Sequence, residues 1–209
     1  MRTSDRRIPW GLILLTAAVI TSSPSIGLPA QKSEEKEDVA TIIATMKKAI
    51  QEKNDPMRNR MFFKLRAIGK PAVAPLVEVL SDPTPGVSEY AAFTLGWIAD
   101  PAAIDPLVTY LKNGNVDQKR AALQALGNMA WGTDNKVRME VHKRAVDTMI
   151  QFLDPAQDIK VRREAAYGLG LAGDPKAIPA LEKVGDDPDK ILQFQVKEAI
   201  ERIRSVQKS

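Results

Sequence analysis

His142 is the one histidine in the chain, so any metal or proton chemistry built on imidazole must be built there. Glu140 lies two residues earlier, and on a helix that spacing puts the two side chains on different faces. With no cysteine in the sequence, thiolate metal sites, a thiol nucleophile and disulfides are excluded. A serine nucleophile needs a base, and a lone histidine inside the basic stretch Lys136, Arg138, Lys143 and Arg144 is a poor one. Gly168-Leu169-Gly170 falls within a helical pattern and not between a strand and a helix, so it is no phosphate loop. Asp186 and Asp187 precede Pro188, where carboxylates serve turns and caps. His142 itself is expected to be a surface helix residue. On residue types alone the chain is expected not to be an enzyme, with no catalytic residue, no metal ligand and no cofactor.

What the side chains do offer is a surface. Four segments align: Leu76-Val77-Glu78-Val79-Leu80, Leu107-Val108-Thr109-Tyr110-Leu111, Met149-Ile150-Gln151-Phe152-Leu153 and Leu181-Glu182-Lys183-Val184. They set Val79, Tyr110, Phe152 and Val184 in one row beside Glu78, Thr109, Gln151 and Lys183. Adjacent apolar and polar rows suit a partner helix or an extended peptide. A second reading stands beside it, in which the apolar row is the shared core of stacked units. Trp97 occupies a position held elsewhere by Ala67, Asn128 and Leu171, and Trp131 sits beside Gly132. Tryptophan is enriched at binding hot spots, so both are candidate anchors.

Helices must hold these rows. Small aliphatic residues recur at helical spacing, aromatics make up only 5%, and no extended strand-like alternation appears. The stretches MFFKLRAIGKPAVAPL at 61–76, AAFTLGWIADPAAIDPL at 91–107 and AAYGLGLAGDPKAIPAL at 165–181 are versions of one another. A fourth, AALQALGNMAWG at 121–132, matches the first half only. Leu65, Leu95, Leu126, Leu169 and Ile203 anchor the units at a period of roughly 30–45 residues, in the range of helical repeat arrays. Gly69, Ala99 and Gly173 end the first helix of a unit, where the left-handed conformation closes a last turn. Asp100-Pro101 and Asp174-Pro175 then open a second helix, proline presetting φ where no N–H is needed. A single hairpin cannot bury its apolar face, so the units must stack. The third unit lacks Asp-Pro and carries an extra stretch at 131–139.

The pattern Leu-Gly-x-(Ile/Ala)-(Ala/Gly)-Asp-Pro at 95–101 and 169–175, with Val161-Arg162 and Ala165-Ala166 on the preceding turn, resembles short HEAT-like repeats of the phycobilisome-lyase type. The resemblance covers roughly 56–206. It implies an all-α fold, a right-handed α-solenoid of about four to five helical hairpins in which second helices line the concave face. It implies little about activity, because such arrays serve scaffolds, adaptors and a few enzymes. HEAT-like iron enzymes that hydroxylate a modified lysine use several His-Glu pairs, which this chain cannot supply. Arg162, with Arg58 and Lys119 at matching positions, is expected to bridge neighbouring repeats.

The N-terminus supplies an address. Arg2, Arg6 and Arg7 precede a charge-free run from Ile8 to Ile20, closed by Thr21, Ser22, Ser23 and Pro24, with small residues near Ala30 for cleavage. That is the layout of a secretory signal peptide over 1–30. The run is short of the roughly 20 residues a membrane span needs; the alternative is an uncleaved N-terminal membrane anchor. Residues 31–38 form a polar tether, 39–55 an N-terminal capping helix and 56–206 the repeat domain. Half of the net charge of +4 belongs to the first thirty residues, so nothing points to nucleic acid. The expectation is an exported, periplasmic or secreted module that binds protein. The alternative is a lyase- or chaperone-like protein holding a cofactor or chromophore in the concave groove.

Overall fold

The structure, a computed structural model, describes residues 37–131 and 136–207. The expected signal peptide, most of the tether and part of the 131–139 stretch lie outside those residues. Every regular element described is helical: α1 (Val39–Gln51), α2 (Asp55–Ile68), α3 (Val73–Val79), α4 (Val87–Ile98), α5 (Ile104–Asn113), α6 (Val116–Ala130), α7 (Lys136–Gln151), α8 (Ile159–Ala172), α9 (Ile178–Lys183) and α10 (Lys190–Val206). Four hairpins, α2–α3, α4–α5, α6–α7 and α8–α9, stack in order between single end helices α1 and α10. The fold is an α-solenoid.

Local chemistry sets the boundaries. Asp38, Asn54, Asn115, Asp158 and Asp189 cap α1, α2, α6, α8 and α10, each accepting a backbone N–H of the first turn. At α6 the cap is reciprocal, since the Gln118 side chain returns to the Asn115 N–H. The first helices of hairpins one, two and four close on left-handed φ values at Gly69, Ala99 and Gly173. The Asp-Pro pairs do not enter the second helix directly. Asp100 and Asp174 cap short 3₁₀ turns, Pro101–Ala103 and Pro175–Ala177, that lead into α5 and α9. The third hairpin, which lacks Asp-Pro, has a longer second helix.

The first helices pack backbone to backbone. Gly96 of α4 faces Ala125 of α6, Gly127 of α6 faces Gly168 of α8, and Gly170 of α8 faces Ala199 of α10. A methyl group on Gly127 would stand 2.9 Å from the Gly168 Cα, so the spacing of this row depends on the missing side chain. Leu65, Leu95, Leu126, Leu169 and Ile203 are fully buried and run through one continuous core. Where α2 packs on α4, Phe62, Tyr90 and Phe93 fill the space. The second helices lie further apart, and grooves open between them.

Two buried ties cross the stack. Arg162 donates through Nε to the Leu153 carbonyl at 3.2 Å and through Nη2 to Asp187 at 2.6 Å, joining α8 to the end of hairpin three and to the turn before α10. Asp187 also accepts the Asp189 N–H, which with the Arg162 guanidinium holds its carboxyl below the usual range. Arg58 is not confined to its own helix: it pairs with Asp55 at 2.8 Å and also lies over the Tyr90 ring of α4 at 5.1 Å, the bridging expected of it. His142 is not a free surface residue. Its Nδ1 lies 2.9 Å from the Ala130 carbonyl and its Nε2 3.1 Å from Asp174, tying α7 to the end of α6 and the turn after α8.

Candidate functional site

The aligned second helices sort into buried and exposed rows. Val79, Tyr110, Phe152 and Val184 are buried members of the core shared along the stack. As a whole row they do not form the exposed interface; of the two readings left open above, shared core describes them. Glu78, Thr109, Gln151 and Lys183 are exposed. Trp131 is exposed, at 66%. Glu140 is exposed and apart from any other acid; among the described residues no group of three or more His, Asp or Glu side chains could hold a metal ion.

Thr109 and Tyr110 do meet a cavity. A groove of about 620 Å³ runs between the ends of α3 and α5, lined by Val77, Leu80, Pro106, Thr109, Tyr110 and Gln118 among others. Its volume is in the range of small-molecule sites, and its walls are mostly apolar. Tyr110 is 9% exposed and sits at its base. The Tyr110 hydroxyl donates to Ser88 Oγ at 2.8 Å, and the Gln118 amide donates to the same oxygen at 3.4 Å. Ser88 in turn donates to Glu89 at 3.2 Å. Burial pushes the Tyr110 phenol up to about 12, so it stays a neutral donor. The groove therefore offers an apolar slot with a few oriented polar groups at one end. Asp105, at its rim, is engaged by Arg144.

A second feature lies on the first helices. Phe62 of α2 meets Tyr90, Phe93 and Trp97 of α4 at ring-centroid distances of 5.3 to 6.4 Å, edge-on or tilted, and Phe63 stands edge-on to Phe62 at 5.1 Å. The Arg58 guanidinium lies over the Tyr90 ring at 5.1 Å and that of Arg66 over Trp97 at 5.0 Å. Phe63 is 61% exposed. Trp97 Nε1 and Arg58 Nε are buried without a hydrogen-bond partner. Tyr90, Phe93 and Trp97 follow i, i+3, i+7 spacing, so one helix face carries all three. That spacing was available in the sequence, but Trp97 taken alone gives no hint of the cluster it joins.

HEAT repeats match this chain over residues 43–127 and 134–208. Among curated proteins, it is 32% identical over 140 residues to phycocyanobilin lyase subunit beta of Nostoc sp. (strain PCC 7120), covering 62% of this chain and 68% of the relative. It is 31% identical over 102 residues to deoxyhypusine hydroxylase of Schizosaccharomyces pombe, covering 46% of this chain. The chain spans about a third of that relative's length. Among solved structures, the complex of CpcE and CpcF of phycocyanin lyase from Nostoc superposes with a TM-score of 0.65 at 24% identity, over 78% of this chain and 99% of that one. A designed armadillo repeat protein in complex with the peptide (KR)4 gives 0.52 at 19%, over 78% and 82%. These two show the fold. The similarity to a lyase subunit overturns the expectation that the chain is no enzyme, an expectation that rested on missing catalytic motifs. The similarity to a hydroxylase does not bring an iron centre with it, since one histidine tied to Ala130 and Asp174 does not fit that ligand set.

Proposed function

The chain belongs to the family of HEAT-repeat proteins, and from that premise we propose that it is a lyase- or chaperone-type subunit that holds an extended chromophore or cofactor between its second helices. The observation that carries this is the groove between α3 and α5. It is large enough for a small molecule, apolar along its walls, and polar at Tyr110 and Gln118. Burial of an apolar ligand body supplies the affinity, and the Tyr110 oxygen as acceptor and the second Gln118 amide hydrogen as donor fix which end enters. The relative named as a phycocyanobilin lyase subunit supports a conjugated pigment as ligand and a second polypeptide as co-worker. The exposed row of Glu78, Thr109, Gln151 and Lys183 runs along the same helices, and we assign it to contact with that protein. The proposal also keeps the chain outside the cytoplasm, on the strength of Arg2, Arg6, Arg7 and the apolar run after them. Loss of about thirty residues from the exported protein, read by intact mass, checks that address.

The test of the groove is a titration with phycocyanobilin followed by its visible absorbance. Saturable binding with a spectral shift is expected, and Thr109→Trp, which fills the slot from an exposed position, should weaken it at least tenfold. Equal binding by parent and variant, or no spectral change at any concentration, would remove the groove from the function.

A further inference from the structure

The aromatic face of α2 and α4 lies on the other helix row from the groove and needs a role of its own. α2 and the residue pair after it carry Arg58, Arg60, Lys64, Arg66 and Lys70 against a single Asp55. Lys64 is paired with Glu37 and Arg58 with Asp55, whereas Arg60 and Arg66 are exposed and make no ion pair among the described residues. The Arg66 guanidinium lies over the Trp97 ring, 5.0 Å from its centre, and the side chain is exposed, so its N–H donors are open to solvent. A planar guanidinium is the group that takes a carboxylate in two parallel hydrogen bonds. Beside it, Phe63 holds a phenyl ring in water, and Phe93 and Trp97 are only half-buried. Tryptophan, tyrosine and arginine set close together around an exposed apolar anchor is the make-up of an interface hot spot.

We propose that this face docks an acidic polypeptide segment bearing an aromatic or large apolar side chain. The acidic groups meet Arg66 and Arg60, and the apolar side chain seats against Phe63 and Phe93. Charge complementarity selects the partner: a helix with this excess of positive charge repels basic segments and speeds the approach of acidic ones. A face on the first helices, separate from the groove on the second, lets one molecule hold two things at once. The inference does not depend on what the groove binds.

The experiment uses the full chain and a labelled random copolymer of glutamate and tyrosine, read by fluorescence anisotropy at physiological salt. Polyglutamate, a single-stranded oligothymidylate and phosphatidylglycerol vesicles serve as comparators. The copolymer is expected to bind at least about fivefold tighter than polyglutamate, because the rings add to the charge. Phe63→Ala and Arg66→Ala should each weaken it by about fivefold or more, and Arg66→Lys should recover only part of the loss. Both side chains are exposed, so the circular-dichroism melt should stay close to that of the parent, and Thr109→Trp should bind as the parent does. Copolymer binding unchanged in Phe63→Ala and Arg66→Ala would overturn the proposal. So would tighter binding of the vesicles or the oligonucleotide that those substitutions abolish, and so would no saturable binding at all.

Discussion

Ala99 occupies a left-handed position, φ 56°, at the end of α4, where the equivalent residues of the first and fourth hairpins are Gly69 and Gly173. A Cβ in that region costs about 1–2 kcal/mol, and glycine returns roughly half of the gain as extra freedom in the unfolded chain. Ala99→Gly is therefore expected to stabilise the protein by about 0.5–1 kcal/mol and raise Tm by roughly 2 °C. Calorimetry of the two proteins would show it; an unchanged or lower Tm would mean that the repeat tolerates alanine there without strain. Comparison of the repeats points to this residue, since two glycines and one alanine at equivalent places mark a backbone requirement. The contacts of His142 could not be found that way. Its partners, Ala130 and Asp174, are 12 and 32 residues distant along the chain; the first is met by closure of hairpin three, the second only because hairpins three and four stack.

Among elements, the end helix α1 lacks a hairpin partner of its own, as α10 does, and it is clasped to its neighbour by charge. Lys47 of α1 reaches Asp82, in the turn after α3, at 2.8 Å. The Lys47 hydrogen bond, helped by the Thr84 N–H, lowers the Asp82 carboxyl from 3.8 to about 2. A carboxylate with a lowered folded-state pKa contributes stability above its unfolded value, and that contribution fades as pH falls through the folded one. Asp82→Asn keeps an acceptor for Thr84 but removes the charge. The variant is expected to melt below the parent at pH 7, and the gap should close as pH drops from about 4 to 2. A gap that persists at pH 2 would show that the ion pair is not its source. Helix existence and order were legible from the leucine period and the Gly/Asp-Pro punctuation. The 3₁₀ turns were not, because an Asp-Pro start looks alike whether a 3₁₀ or an α turn follows. Thr109 and Tyr110 were found as a pair, but the groove beside them comes from the distance between α3 and α5, which no single segment encodes. The aromatic face needed two helices read together.

At the scale of the molecule, stability accumulates from neighbour to neighbour. A hairpin touches mainly the next one along, so openings can be local. Leu192 of α10 is fully buried against the last hairpin. Leu192→Ala should cost about 2–4 kcal/mol, and hydrogen exchange should speed up in α9 and α10 while amides of α2 to α4 keep their protection. Uniform acceleration along the chain would instead show that the stack opens as one unit. The two proposed binding faces both lie on hairpins one and two, in the part that keeps its protection, away from α10.

The two tryptophans of the described residues differ in surroundings. Trp131 stands in water, and Trp97 is half-buried under an arginine with phenyl rings beside it. Their emission should separate by colour, red-shifted for the first and blue-shifted for the second. Tyr90 and Phe93 lie next to Trp97, so light absorbed by the tyrosine can pass to it. The protein thus carries a native optical reporter on α4, and a Trp131→Phe chain lacking residues 1–30 would let that one indole be watched alone while ligands are added.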